Sequence, residues 1–181
     1  MASLWRKLHN SCMNASLSFT GELLAIGVAP HAKAPLENHD WAEMIEGQGI
    51  GGDRYAAGLG AGQKGVVKDE QHVSLISEEA IQAACEESGL PITHLLTRRN
   101  LLVRGVPLAD LISKRFCIGE VVLFGFEDCA PCGYLEKMTL AGIKQALHKR
   151  GGLRAVVVRG GVIRVGDVVR PETREERLAA H

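Results

Sequence analysis

Short β-branched runs broken by glycine and proline constrain this chain most, and the plainest is Ala155-Val-Val-Val158, then Arg159-Gly160-Gly161, then Val162-Ile163. Two such runs across a Gly-Gly step predict a hairpin, because glycine enters the positive φ of a tight turn freely. Thr20 to Ala29, stopped by Pro30, predicts a first strand, and His72-Val-Ser-Leu-Ile76 another. Leu101 to Val103, Phe116 to Phe126 and Val168-Val169, ended by Pro171, read the same way. The stretch from Trp41 to Ile50 has no clear period, and the glycine-dense segment from Gly47 to Gly65 reads as a loop.

Two helices are expected among these strands. Ser77 offers an N-cap with Glu78 and Glu79 in the first turn, and Gly89 with Pro91 beyond offers the stop. From Leu140 to Arg150, Leu140, Ile143 and Leu147 share a face, and the segment ends in His148, Lys149, Arg150 and Gly151. Several short strands with two helices and few aromatics make the chain mainly β with peripheral helices (α+β), a small barrel and not a doubly wound sheet. Of the 181 residues, 1–18 read as a flexible leader, 19–171 as the barrel domain, and 172–181 as a charged tail, helical or disordered.

Composition narrows the function classes. The chain is 46% hydrophobic, enough for one sizeable core, and shows neither a spanning apolar run nor a secretory leader, so a cytoplasmic protein is expected. Its 21 basic and 21 acidic residues balance, which argues against a general nucleic-acid or membrane-surface binder. Aromatics at 4% are too few for base-stacking platforms. The basic residues nevertheless cluster, as Arg98, Arg99, Arg104, Lys114 and Arg115, and again from Lys144 to Arg170, where an anionic ligand would be attracted.

Asp128-Cys129-Ala130-Pro131-Cys132-Gly133 follows the apolar run Ile118-Gly-Glu-Val-Val-Leu-Phe-Gly-Phe126. Pro131 fixes its own φ and Gly133 permits a change of direction, which puts the Cys132 thiol on a constrained corner at a strand end. Cys85 and Cys117 read as small core residues and Cys12 as incidental. Cys129 and Cys132 form a C-x-x-C pair, but there is no second pair and the seven histidines are scattered, so no zinc is expected. Gly133 and Tyr134 make a poor first helical turn, which disfavours a thioredoxin-like dithiol. Gly47-Gln-Gly49-Ile-Gly-Gly52 lacks the strand and helix of a dinucleotide site, and Gly58-Leu-Gly-Ala-Gly-Gln-Lys64 departs from a P-loop at Gln63 and Gly65.

Gly51-Gly52-Asp53-Arg54, His72-Val-Ser-Leu-Ile-Ser-Glu-Glu-Ala80, Arg98-Arg99-Asn100-Leu101, Ile118-Gly119-Glu120, Ala130-Pro131-Cys132 and Gly160-Gly161-Val162-Ile163 with Gly166-Asp167 follow in order. Together they resemble the MOSC domain, the family of the C-terminal domain of molybdenum cofactor sulfurases and of the core of amidoxime-reducing molybdoenzymes. The resemblance runs from about Thr20 to Pro171 and implies a closed β-barrel with peripheral helices. It makes Cys132 the signature cysteine, either a thiolate ligand to the molybdenum of molybdopterin or a persulfide carrier. Arg98 and Asn100 match an R-x-N motif that implies contacts with the pterin and phosphate of the molybdenum cofactor. Asp53 and Arg54 match a Gly-Asp-Arg turn, open both to ligand contact and to a structural Asp cap.

Three functions follow from the resemblance. One is a molybdenum-dependent reductase of N-hydroxylated small molecules. Another is a persulfide carrier for maturation of the cofactor or of metal-sulfur centres. The last is a binding module without turnover. The sequence contains nothing like the N-terminal barrel partner or ferredoxin segment of the reductases, or the pyridoxal-phosphate domain of the sulfurases. Separate redox partner proteins, or a separate cysteine desulfurase, are therefore the expected partners.

Overall fold

The computed structural model describes residues 17–60, 63–68 and 71–179. Most of the expected leader, and the last residues of the tail, lie outside the described residues, as do residues 61 and 62 of the glycine-dense loop. The strands are β1 (Gly21–Val28), β2 (Glu37–His39), β3 (Trp41–Ile45), β4 (Gly49–Ile50), β5 (Val73–Ser77), β6 (Leu101–Arg104), β7 (Arg115–Ile118), β8 (Val121–Asp128), β9 (Leu153–Arg159), β10 (Gly161–Arg164) and β11 (Val168–Pro171). Short helices α1 (Glu78–Ser88), α2 (His94–Thr97), α3 (Gly133–Met138), α4 (Ile143–Ala146) and α5 (Arg174–Ala179) lie between or after them.

Seven strands close a barrel in the order β11-β7-β8-β9-β5-β6-β1, with β11 returning to pair β1 through Gly21↔Val169. This is the mainly β, closed-barrel architecture expected of the sequence. Pairing is antiparallel except between β5 and β6, and the crossover that a parallel pair requires carries α1 and α2. The barrel is filled by Leu23, Ile26, Leu75, Leu101, Phe116, Ile118, Leu123 and Val157, all sealed from solvent. A second cluster, Ile76, Ile81, Ala84, Leu135, Ile143 and Leu147, holds α1, α3 and α4 against the outside of β5. β5 is buried on both faces for this reason: Leu75 faces the barrel and Ile76 the helices.

Local signals placed β1, β5 and α1 correctly. Ser77 caps α1, its Oγ accepting from the Ala80 amide at 3.2 Å, and Gly89 closes the helix at φ 70°. Elsewhere the structure corrects the reading. The run from Phe116 to Phe126 is two strands folded back at Gly119 and Glu120, with Ile118 opposite Val121. The expected helix from Leu140 to Arg150 shrinks to Ile143–Ala146, because the Glu136 carboxylate accepts the amides of Gly142 and Lys144 in place of an earlier turn. The ambiguous stretch after Trp41 forms β3 and β4, and the start of the tail forms α5.

The expected hairpin across Gly160 and Gly161 does not form. β8 runs along one edge of β9; on the other, β5 pairs Leu153 to Ala155, and beyond it the Val157 amide donates to His72 Nδ1 and the Val157 carbonyl accepts from the Gly47 amide, so that edge is already engaged. β10 instead leaves the barrel and pairs β3 in a separate sheet, β10-β3-β4. Gly160 is needed at this corner because a Cβ there would collide with the Met44 carbonyl oxygen. No helix among the described residues is long and apolar enough to cross a membrane.

Candidate functional site

Where β8 ends, residues 129–132 lead into α3, and three contacts fix that segment. The Cys129 amide donates to the Gly152 carbonyl at 2.8 Å, and Arg99 Nη2 donates to the Cys129 carbonyl at 2.6 Å. The third is close packing on Gly151, where a Cβ would collide with the Cys129 oxygen and the Pro131 ring. Gly152, at φ 102°, leaves no room for a Cβ beside the Leu75 carbonyl, so the segment rests on a glycine pair that no other residues could replace without displacement.

Cys132 is the N-cap of α3, in extended conformation, and its side chain is exposed. The helix after it corrects the expectation that Gly133 and Tyr134 would not start one. Burial of Leu135 in the outer helix cluster outweighs the low helix propensity of Gly133. Cys129 is buried. The two thiols are free, one buried and one exposed.

Cys129 and Cys132 line one cleft with Arg54, Arg98, Arg99 and Arg154, and with Tyr55, Gln71 and Tyr134. The cavity is about 90 Å³, room for an anionic head group, and a larger ligand would extend outward. Among the described residues no carboxylate lines it. Arg98 donates Nη1 to the Ala34 carbonyl and Nη2 to the Ala32 carbonyl, both at 2.8 Å, and Tyr134 donates its hydroxyl to the same Ala32 oxygen at 3.1 Å. Arg99 gives Nε to Gly151, Nη1 to Thr97 and Nη2 to Cys129, all carbonyls. Both arginines are more than nine-tenths buried, and neither pairs with a carboxylate among the described residues. Burial, and then the nearby Arg54 charge, lower the Arg98 guanidinium below the ordinary arginine range. Two cations held only by carbonyl dipoles leave the cleft strongly electropositive.

Behind this wall sits a saturated bracket. Asp53 Oδ2 accepts from the Ala29 amide, Arg54 Nη1 and Asn100 Nδ2, and Oδ1 from the Tyr55 amide. Asn100 also donates to the Gly27 carbonyl, and its Oδ1 accepts from the amide and hydroxyl of Ser74. Asp53 and Asn100 are fully buried and lie outside the cleft lining. Arg54 bridges the two regions, pairing Asp53 at 3.1 Å, donating to the Arg98 carbonyl at 3.0 Å, and stacking 4.5 Å from the Tyr55 ring centroid.

Of the residues singled out in the sequence, the structure brings Cys132, Arg98 and Arg54 to the cleft and sets Asp53 and Asn100 behind it. It adds Arg99, Arg154, Gln71 and Tyr134. The two arginines belonged to the basic groups visible in the sequence, but no motif distinguished them from solvated neighbours.

The MOSC domain family model matches residues 62–170, and the chain belongs to the MOSC domain family. That family is associated with molybdenum cofactor binding. Its fold is similar to that of the YuaD protein of Bacillus subtilis, with TM-score 0.71 and 18% identity over 86% of this chain and 100% of that one. It is also similar to YiiM of Geobacillus stearothermophilus, with TM-score 0.61 and 16% identity over 85% of this chain and 76% of that one. YiiM of Escherichia coli gives 0.57 and 14%, over 88% and 71%. At these identities the likeness is one of fold. No curated protein matches the chain in sequence.

Proposed function

We propose that the cleft binds the molybdenum cofactor, or a related sulfur-bearing anionic group, with the Cys132 thiolate as the attachment point. The observation that carries this reading is the placement of Arg98 and Arg99, buried and without a paired carboxylate among the described residues, beside an exposed thiol. Among the described residues no cluster of three or more His, Cys, Asp or Glu could hold a metal ion, so a metal here would take most of its ligands from the cofactor. Cys132 would supply the protein ligand, and Arg54 and Arg98 the positive field for the cofactor's anionic groups. When bound, the cofactor supplies a redox-active metal centre suited to reducing an N-hydroxylated small molecule, with electrons from a separate redox partner protein. Asp53 and Asn100 support that site from behind, by holding Arg54 and the turn before Leu101, and do not touch the ligand.

A second reading draws on the small cavity volume of about 90 Å³, which suits a persulfide and a small anion better than a whole pterin. Here the Cys132 thiolate attacks the outer sulfur of a partner desulfurase's persulfide. Cys132 then carries the Sγ–S bond and the partner leaves as thiolate. Protein purified from a molybdenum-replete host distinguishes the readings. Stoichiometric molybdenum with pterin fluorescence, lost in Cys132→Ser, supports the reductase. Metal-free protein with cyanide-releasable sulfur on Cys132 supports the carrier. Neither molybdenum nor labile sulfur would leave a binding module and overturn both.

A further inference from the structure

Arg154 differs from the other arginines of the cleft in having its fork uncommitted. Arg98 and Arg99 spend both terminal nitrogens on carbonyls, and Arg54 spends its own on Asp53 and the Arg98 carbonyl. Among the described residues Arg154 has a loose ion pair, Nε to Glu127 Oε1 at 3.6 Å, and a side-chain contact with Cys129. Among the described residues its terminal nitrogens make no hydrogen bond to a carbonyl or carboxylate oxygen. β9 delivers it to the cleft in register with Ser74 of β5, and Tyr55 and Gln71 share its wall. Gln71 Oε1 is buried at this wall with no donor to it among the described residues. Open guanidinium donors beside an unanswered acceptor complement one kind of group, an oxyanion that also carries a hydroxyl hydrogen.

We infer that Arg154, and not Arg98, takes the oxygens of the anion bound beside Cys132, with Gln71 accepting from a hydroxyl on the same group. The ligand class is a protonated oxyanion, of which hydrogenphosphate or a phosphate monoester monoanion is the simplest member. This rests on the reading that the cleft binds anions, and adds to it which side chain does so and which anions are preferred. Arg98 then acts through its fixed charge and through the segment it holds at Ala32 and Ala34.

The test measures alkylation of Cys132 in the full chain by anionic iodoacetate and neutral iodoacetamide, each relative to a small free thiol and resolved by mass spectrometry. The parent should favour iodoacetate, and phosphate should protect Cys132 better than sulfate at matched ionic strength. Arg154→Gln should slow iodoacetate about tenfold. Its iodoacetamide rate should be unchanged and Cys117 should stay unlabelled, which shows that the fold is intact. Gln71→Leu should keep the iodoacetate preference and erase the difference between phosphate and sulfate. Loss of the preference in Arg98→Gln but not in Arg154→Gln, or equal protection by both anions in the parent, overturns this inference and leaves the anion site standing. A parent with no iodoacetate preference and no protection by either anion overturns the anion site itself.

Discussion

Asn100 Nδ2 donates to Asp53 Oδ2 at 3.0 Å across 47 residues of sequence, and neither residue has any exposed surface. The contact ties the turn after β4 to the start of β6, and Asp53 simultaneously neutralises Arg54. Asp53→Ala would leave Arg54 buried and unpaired, and should cost about 3 to 5 kcal/mol of stability. Asn100→Ala removes the side-chain acceptor of the Ser74 amide and hydroxyl and the donor to the Gly27 carbonyl, and should cost about 1 to 3 kcal/mol. Urea unfolding checks both, and parental stability in either variant would remove the bracket from the account of the fold.

The two cysteines of the pair should separate cleanly. Native protein treated with iodoacetamide is expected to label at Cys132 and not at the buried Cys129. Cys132→Ser should keep the fold and lose bound cofactor or sulfur. Cys129→Ala should retain both, with a stability loss of about 1 kcal/mol. Equal loss in the two variants, with stoichiometric zinc in the parent, would restore a metal-pair reading.

Arg98→Lys should loosen the segment around Lys33. One ammonium cannot donate to the Ala32 and Ala34 carbonyls with the geometry of a planar fork. Limited trypsin digestion reads this directly, as faster cleavage after Lys33 with the rest of the chain resistant. An unchanged cleavage rate would show that the segment is held by other contacts.

Burial pushes the Cys117 thiol up from 9.0 to about 11, against the opposing pull of Arg170. The folded protein therefore keeps a proton that the unfolded chain releases, and stability, whole below pH 9, declines as pH rises through 11. The loss from this group is at most about 2 to 3 kcal/mol. Thermal unfolding across that window should show a steeper decline in the parent than in Cys117→Ala, and parallel curves would contradict it.

What was legible in the sequence is what neighbouring residues decide. β1, β5, the caps of α1 and the corner at Cys132 all rest on signals within a few positions. β9 and β10 show the limit. The two strands were legible but the hairpin between them was not, because the free edge of β9 is taken by β5 and, beyond Ala155, by His72 and Gly47 from distant segments. The site has the same character. Cys132, Arg54 and Arg98 were visible through motifs, whereas the saturation of Asn100 depends on Gly27, Asp53 and Ser74 from three other segments. Arg154 reaches the cleft only because β9 lies beside β5.

The pairing of β1 with β11 has a consequence for biosynthesis. β1 is made first among the barrel strands and β11 last, so the seam cannot close until nearly the whole chain is available. Until then the Gly21–Glu22 end of β1 presents unpaired amides and carbonyls that an incoming strand from another chain could cap. A ribosome paused before Val168 would hold an open sheet with its interior exposed. Nascent-chain proteolysis should accordingly show protection appearing in one late step, and substitutions at the seam should reduce yield more than they reduce the stability of the finished molecule.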